Sequence, residues 1–259
     1  MTAESARRAV LITGAASGIG AATARRFIAE GWQVAINCID GSQRDAAGAI
    51  AALATGAGQK AVVIEGDVTR DADCVAVVEK AVAAFGRLDA LVNAAGISKM
   101  VPQPDLHGLD FDDFQRIYAV NTIGMFQMIR AAAPHLKATG KGAVVNITSR
   151  AGVTGGGSSI AYAASKGASN TLTLSLARVL APEIRVNAVC PALTEQGFVE
   201  RLAPESFAER RARQIAISPL KQIGQPEQVA ESIYWLASSA EMMTGSLVDL
   251  DFGIHLNAT

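Results

Sequence analysis

The chain has 259 residues, a net charge of −1, and a composition that is 50% hydrophobic and 18% charged. This suits one large α/β domain or two small ones with a sizeable core. The charge balance argues against electrostatic binding to nucleic acid or an anionic membrane, and no apolar run is long enough to span a bilayer.

The start, MTAESARRAV, lacks the apolar stretch of a signal peptide, and Glu4 with Arg7 and Arg8 predicts a solvated tail over 1–8. Short β-branched runs then alternate with Ala-rich helical patterns. Strands are expected at 9–13, 33–37, 61–67, within 88–96, and at 142–149, 184–191 and 246–253. Helices are expected at 18–30, 43–55, 71–85, 111–138, 160–180 and, with Pro226 near its start, 224–238. Strands apolar along their length suit a sheet covered on both faces, and the alternation implies a parallel, doubly wound sheet in a single α/β domain. The stretch 192–222, with Phe198, Phe207 and several arginines, breaks the rhythm and reads as an irregular insertion over one end of the sheet. Cys38, Cys74 and Cys190 form no Cys-x-x-Cys pair, which predicts packed thiols in a reducing cytoplasm. No set of residues suggests a metal site.

LITGAASGIG (11–20) places Gly14, Gly18 and Gly20, with Ser17 and Ile19 between them, after the first strand and at the start of a helix. Such a turn brings backbone close to a ligand and offers a phosphate the free N–H groups of a helix N-terminus. A tight turn without a ligand and an adenosyl-cofactor methyltransferase remain open on this motif alone. Further on, Tyr162 and Lys166 lie four apart in a helix of small residues, on one face.

TGAASGIG (13–20), NAAG (93–96), VNTIG (120–124), Ser149 and YAASK (162–166) together resemble, in order, the motifs of the short-chain dehydrogenase/reductase family. The resemblance runs from Val10 to about Leu256. It implies a Rossmann-type seven-stranded parallel sheet, a nicotinamide cofactor, and hydride transfer to or from a small alcohol or carbonyl substrate, usually in a homotetramer. It implies Asn121, Ser149, Tyr162 and Lys166 as the catalytic set. It also implies cofactor contacts from Asp67 and Val68, from Asn93, Ala94 and Gly96, and from Pro191. Asn93 reads more plainly as a tie between central strands. A regulatory protein that keeps the cofactor but lost turnover is the alternative.

The chemistry of the pair is direct. Free tyrosine titrates near ~10, too high for a base at neutral pH. An ammonium at ~4 Å is worth roughly 4 kcal/mol at an effective dielectric of about 20, so Lys166 is expected to lower the Tyr162 pKa. Tyr162 then exchanges a proton with the substrate oxygen, steadied by Ser149, while Lys166 also holds the nicotinamide ribose. Asn121 is implied to interrupt its helix and hold a relay water. No Gly-x-Ser-x-Gly elbow surrounds Ser149, which excludes a hydrolase nucleophile.

Three positions depart from the family: Ala192 and Phe252 stand where glycine is usual, and Gln196 stands where a threonine is expected, with Thr194 nearby as a substitute. Cofactor choice turns on INCIDG (36–41). Cys38 holds the place of the usual acid, so Asp40 is the nearest carboxylate, with Arg44 beyond it; Ser17 stands where NADP enzymes often carry a base. The cofactor is therefore NAD or NADP, with a slight lean to NAD. The substrate pocket is expected from residues after Gly96, after Ser149 and within 192–222. Arg150 and Lys99 read as structural charges rather than substrate ligands.

Overall fold

A computed structural model describes residues 7–56 and 58–257; Glu4 of the expected tail lies outside them. Seven strands form one parallel sheet: β1 (Ala9–Ile12), β2 (Gln33–Cys38), β3 (Ala61–Glu65), β4 (Ala90–Asn93), β5 (Gly142–Ile147), β6 (Ile184–Pro191) and β7 (Leu247–Leu250). Their order is β3-β2-β1-β4-β5-β6-β7, so the chain reverses direction across the sheet between β1 and β4. That reversal opens a crevice at the carboxyl ends of these two strands, where such sheets bind ligands.

Alternation along the strands builds two cores. Val10 and Ile12 point to one face, with α1 (Gly18–Ala29), α2 (Arg44–Ala51) and α10 (Pro226–Ser238) packed over it. Ala9 and Leu11 point to the other, under α3 (Asp71–Phe85), α5 (Met125–Ala138) and α7 (Ile160–Leu180). Phe27 meets Trp32 and Tyr234 edge-on, at 5.0 and 5.2 Å between ring centroids. Arg8 lays its guanidinium 4.2 Å over the Trp32 ring and Arg7 donates to the Gly31 carbonyl, so residues 7 and 8 are docked rather than part of a solvated tail. The central strands are tied by side chains: Asn93 Nδ2 donates to Asn146 Oδ1 at 2.9 Å, and Asn146 Nδ2 to Thr173 Oγ1 of α7 at 3.0 Å.

The helical stretch expected over 111–138 is two helices, α4 (Phe111–Tyr118) and α5, joined by a π-helical turn, Ala119–Gly124, which holds Asn121 at the interruption the resemblance implied. One region departs from the sequence reading. The stretch 192–222 is not irregular. It carries α6's later counterparts α8 (Phe198–Leu202) and α9 (Pro204–Ile217), the short α6 being Ala151–Thr154. Proline at the start of α9 supplies a fixed φ and lacks an N–H that would go unpaired there. The polar, arginine-rich sequence of α9 hides its helical period.

Candidate active site

A cleft of about 800 Å³ lies over the carboxyl ends of the strands. One end is the glycine turn. Gly14 has φ +60, and a side chain there would place Cβ 2.8 Å from Ala95 Cα, so the turn after β1 can sit directly on the segment after β4. Thr13, which the sequence reading passed over, fastens the same contact: its hydroxyl accepts from Ala94 N at 3.0 Å and Ala95 N at 3.1 Å. Ser17 caps α1 with extended backbone and makes no side-chain capping bond, so the first N–H groups of the helix are left for a ligand. Ser17, Gly18, Ile19 and Gly20 line the cleft, as do Asp67, Val68, Ala94, Gly96, Pro191 and Thr194.

At the other end Ser149, Tyr162 and Lys166 share the same lining. Ser149 follows β5, and its hydroxyl accepts from Ala151 N at 3.1 Å. Ser159 caps α7 by accepting from Tyr162 N, which starts the helix so that Tyr162 and Lys166 fall on the cleft side. Lys166 Nζ lies 5.7 Å from the Tyr162 ring centroid and donates to the Ile147 carbonyl at 2.8 Å. Gly96 keeps the wall beside Lys166 free of a side chain: a Cβ there would stand 3.7 Å from Lys166 Nζ and 3.3 Å from Asn121 Oδ1. Asn121, fully buried in the π turn, stands behind this wall rather than in the lining. It accepts from Ile97 N at 2.9 Å and donates to Ile97 O and Ser165 Oγ, both at 3.0 Å.

Burial dominates the titration of the pair, contrary to the expectation that Lys166 lowers Tyr162. Burial pushes the phenol up to about 12, and the hydrogen bond from Ser149 only partly offsets this. Burial likewise pulls the Lys166 ammonium down to about 8. The lysine's charge is reduced by the same desolvation that isolates the tyrosine. For Lys166 the folded protein releases its proton through about 8, while the unfolded chain keeps it to 10.5. Between these values the unfolded state binds more protons, so stability rises with pH in that window and the cost of burying the ammonium is full below it. Lys166→Met should therefore gain on the unmodified protein by about 2 kcal/mol more at pH 7.5 than at pH 9.5, measured by denaturant unfolding at both values.

Several sequence-predicted contacts fall elsewhere. Asp40 is outside the lining: its carboxylate accepts from Ser42 N at 2.9 Å and from the Ser42 hydroxyl, which hold it below the usual carboxylate range. Arg44 pairs with Glu65 at 2.7 Å and is likewise absent from the lining. Asn93 is buried in its inter-strand bond, as the plainer reading had it. Arg150 binds Asp251 at 3.1 Å and Asp249 at 3.5 Å, and Lys99 binds Asp113 at 2.5 Å, so both are structural charges. Phe252 adopts φ +55, keeping the backbone of the usual glycine at some steric cost.

The segment 196–201 contributes what sequence reasoning did not place. Phe198 stands edge-on to Tyr162, ring centroids 6.2 Å apart, and Arg201 Nη1 donates to Ser17 Oγ at 3.0 Å. These contacts span the cleft from the tyrosine to the glycine turn. The aromatic and the arginines were visible in the sequence, but nothing in their spacing aimed Phe198 at Tyr162 or Arg201 at Ser17, 184 positions earlier.

Comparison with known proteins agrees with this geometry. A family model described as enoyl-(acyl carrier protein) reductase matches residues 14–255. The chain is 37% identical over 250 residues to cis-4-hydroxycyclohexanecarboxylate dehydrogenase of Sinomonas cyclohexanicum, covering 96% of each chain. A crystal structure described as a short-chain dehydrogenase/reductase from Burkholderia xenovorans superposes with a TM-score of 0.90 at 43% identity, over 98% of this chain and 100% of that one. The structure of ElxO with NADP bound gives 0.85 at 30% identity, over 96% and 99%. With the sheet order, the glycine turn and the Ser149–Tyr162–Lys166 grouping in place, the conclusion is that this chain belongs to the short-chain dehydrogenase/reductase family, whose members are NAD(P)-dependent oxidoreductases.

Proposed function

We propose that Tyr162 is the general acid–base of a hydride transfer between a nicotinamide cofactor and a small alcohol or ketone. The observation that carries this is the placing of Ser149, Tyr162 and Lys166 on the lining of the same cleft as the glycine turn, with Lys166 Nζ 5.7 Å from the Tyr162 ring centroid. The left-handed Gly14, the uncapped start of α1 and the side-chain-free wall at Gly96 fit a dinucleotide laid along the cleft. When bound, a nicotinamide supplies the hydride donor or acceptor and, in its oxidised form, a positive charge. Ser149 and Tyr162 hold the substrate oxygen, and Tyr162 gives it a proton or takes one. Lys166 supplies positive charge beside the phenol, which opposes the rise that burial causes. Asn121 holds both backbone groups of Ile97 and so supports the wall of the cleft. A relative named for a hydroxycyclohexanecarboxylate supports a hydroxyl-bearing substrate. No observation favours the regulatory alternative without turnover. Tyr162→Phe should bind cofactor normally and lose turnover by about a hundredfold or more, followed by NAD(P)H absorbance; near-normal turnover would remove Tyr162 from this role.

For the cofactor, the sequence lean to NAD rested on Asp40, whose carboxylate is engaged by Ser42 outside the cleft. Arg201 instead brings a guanidinium to Ser17, the position where a base accompanies NADP, and ElxO, at 30% identity, binds NADP. We therefore take NADP as the preferred cofactor. Fluorescence titration should give tighter binding of NADPH than NADH, with the ratio reduced in Arg201→Ala; tighter NADH binding would restore the earlier lean.

A homotetramer in a reducing cytoplasm completes the proposal. Ile123 and Phe126, beside Ala168 and Leu172 of α7, line a shallow apolar depression, with Ile123 50% and Phe126 37% exposed. Two antiparallel copies of this face would cover one another. All three thiols are buried and unpaired. Sedimentation at micromolar concentration should show a species of four chains, and a monomer would overturn this.

A further inference from the structure

The cleft is bordered by α9, and the orientation of that helix is fixed. Gln214 is buried and clamps it, its Nε2 donating to Leu193 O and its Oε1 accepting from Leu193 N, both at 2.9 Å. Held this way, Arg210, Arg213 and Ile217 share the face that lines the cleft. Arg211, on the other side of the helix, pairs with Glu195 at 2.6 Å. Arg210 donates only to the Ser206 hydroxyl, at 3.2 Å, and among the described residues neither Arg210 nor Arg213 has a carboxylate within 4.0 Å.

The remaining charges in the lining do not compensate. Arg150 is neutralised by Asp249 and Asp251, and Arg201 is engaged with Ser17. Among the described residues the sole acid in the lining is Asp67, on the turn after β3, whose Oδ1 accepts from Thr69 N at 2.9 Å. Two unpaired like charges one turn apart on a helix repel, which disfavours the arrangement unless an anion joins them. The same lining includes the apolar Leu193, Ile217 and Ile254.

We propose that the substrate carries an anionic group, bound by Arg210 and Arg213 at the mouth of the cleft, joined by an apolar segment to the carbonyl or carbinol that reacts at Ser149 and Tyr162. The proposal rests on the hydride-transfer reading for the reacting end and adds the class of the other end. A planar carboxylate, a sulfonate and a phosphate all match the guanidinium fork. The anion belongs either to a free keto acid or to the phosphate of a thioester tether.

The test uses keto acids of four to eight carbons, their methyl esters and the matching coenzyme A thioesters, with the unmodified protein and the Arg210→Ala/Arg213→Ala double variant. Both side chains are exposed, so their removal spares the core. The acid-to-ester ratio of kcat/KM should be at least tenfold in the unmodified protein and collapse toward one in the double variant, shrinking also with added salt. Arg211→Ala should leave the ratio where it is. The same pattern with the thioester in place of the acid assigns the anion to a tether phosphate and upholds the site. Equal use of acid, ester and thioester, or a double variant whose defect is confined to NADPH affinity, would overturn it. Calorimetric titration of the cofactor complex with the same acids separates the two readings. Binding lost in the double variant, without turnover in either protein, keeps the anion site and removes hydride transfer; neither binding nor turnover removes the anion site.

Discussion

An ammonium held out of water needs an acceptor, and in this protein Lys166 finds one in the carbonyl of Ile147, the last residue of β5. Much of the site depends on that bond. It anchors the cleft side of α7 to the end of a central strand and so fixes where Tyr162 stands relative to Ser149, two residues beyond Ile147. It also explains the small residues around it. Gly96 lets the backbone after β4 pass within reach of Nζ, and Ser165 packs fully buried against Asn121. The desolvation that draws the lysine down to about 8 is the same one that raises the phenol to about 12. Burial therefore drives the two groups apart, from ordinary values of 10.5 and 10.0 to about 8 and about 12, and holds each toward its neutral form.

Much of this was legible in the chain because the local signals agree with one another. The ends of α3, α7 and β6 fall where capping residues, Gly86 and Pro191 put them. The glycine turn and the Tyr162–Lys166 spacing identified the two ends of the cleft, since both are short-range patterns with a fixed geometry. What failed was what depends on distant partners. The loop after β2 was read from charge alone, but Ser42 and Glu65 decide where Asp40 and Arg44 point. The titration of Tyr162 was read from its neighbour, while its burial comes from the whole fold. The helices of 192–222 were hidden because α9 meets the rest of the protein through one glutamine clamp and a few apolar residues, a pattern too sparse to show a period.

The segment from Gln196 to Arg201 ties the two halves of the cleft. Gln196 adopts φ +55, a conformation that costs a residue with a side chain, and it leads the chain from Thr194 into α8 beside Gly18. From there Phe198 reaches the tyrosine and Arg201 reaches the glycine turn. One short helix thus contacts the parts of the site that the sheet itself keeps apart.

The π turn at Ala119–Gly124 has a further meaning for chain length. A turn closed by i→i+5 bonds stores one residue more than the α turn it replaces. Without that residue, α4 could run straight into α5, as the sequence pattern over 111–138 suggested. The surplus is what swings Asn121 onto both backbone groups of Ile97. An unbroken helix and a built wall are therefore alternatives for this stretch, and the molecule holds the less regular one at the point where regularity would remove the wall's support.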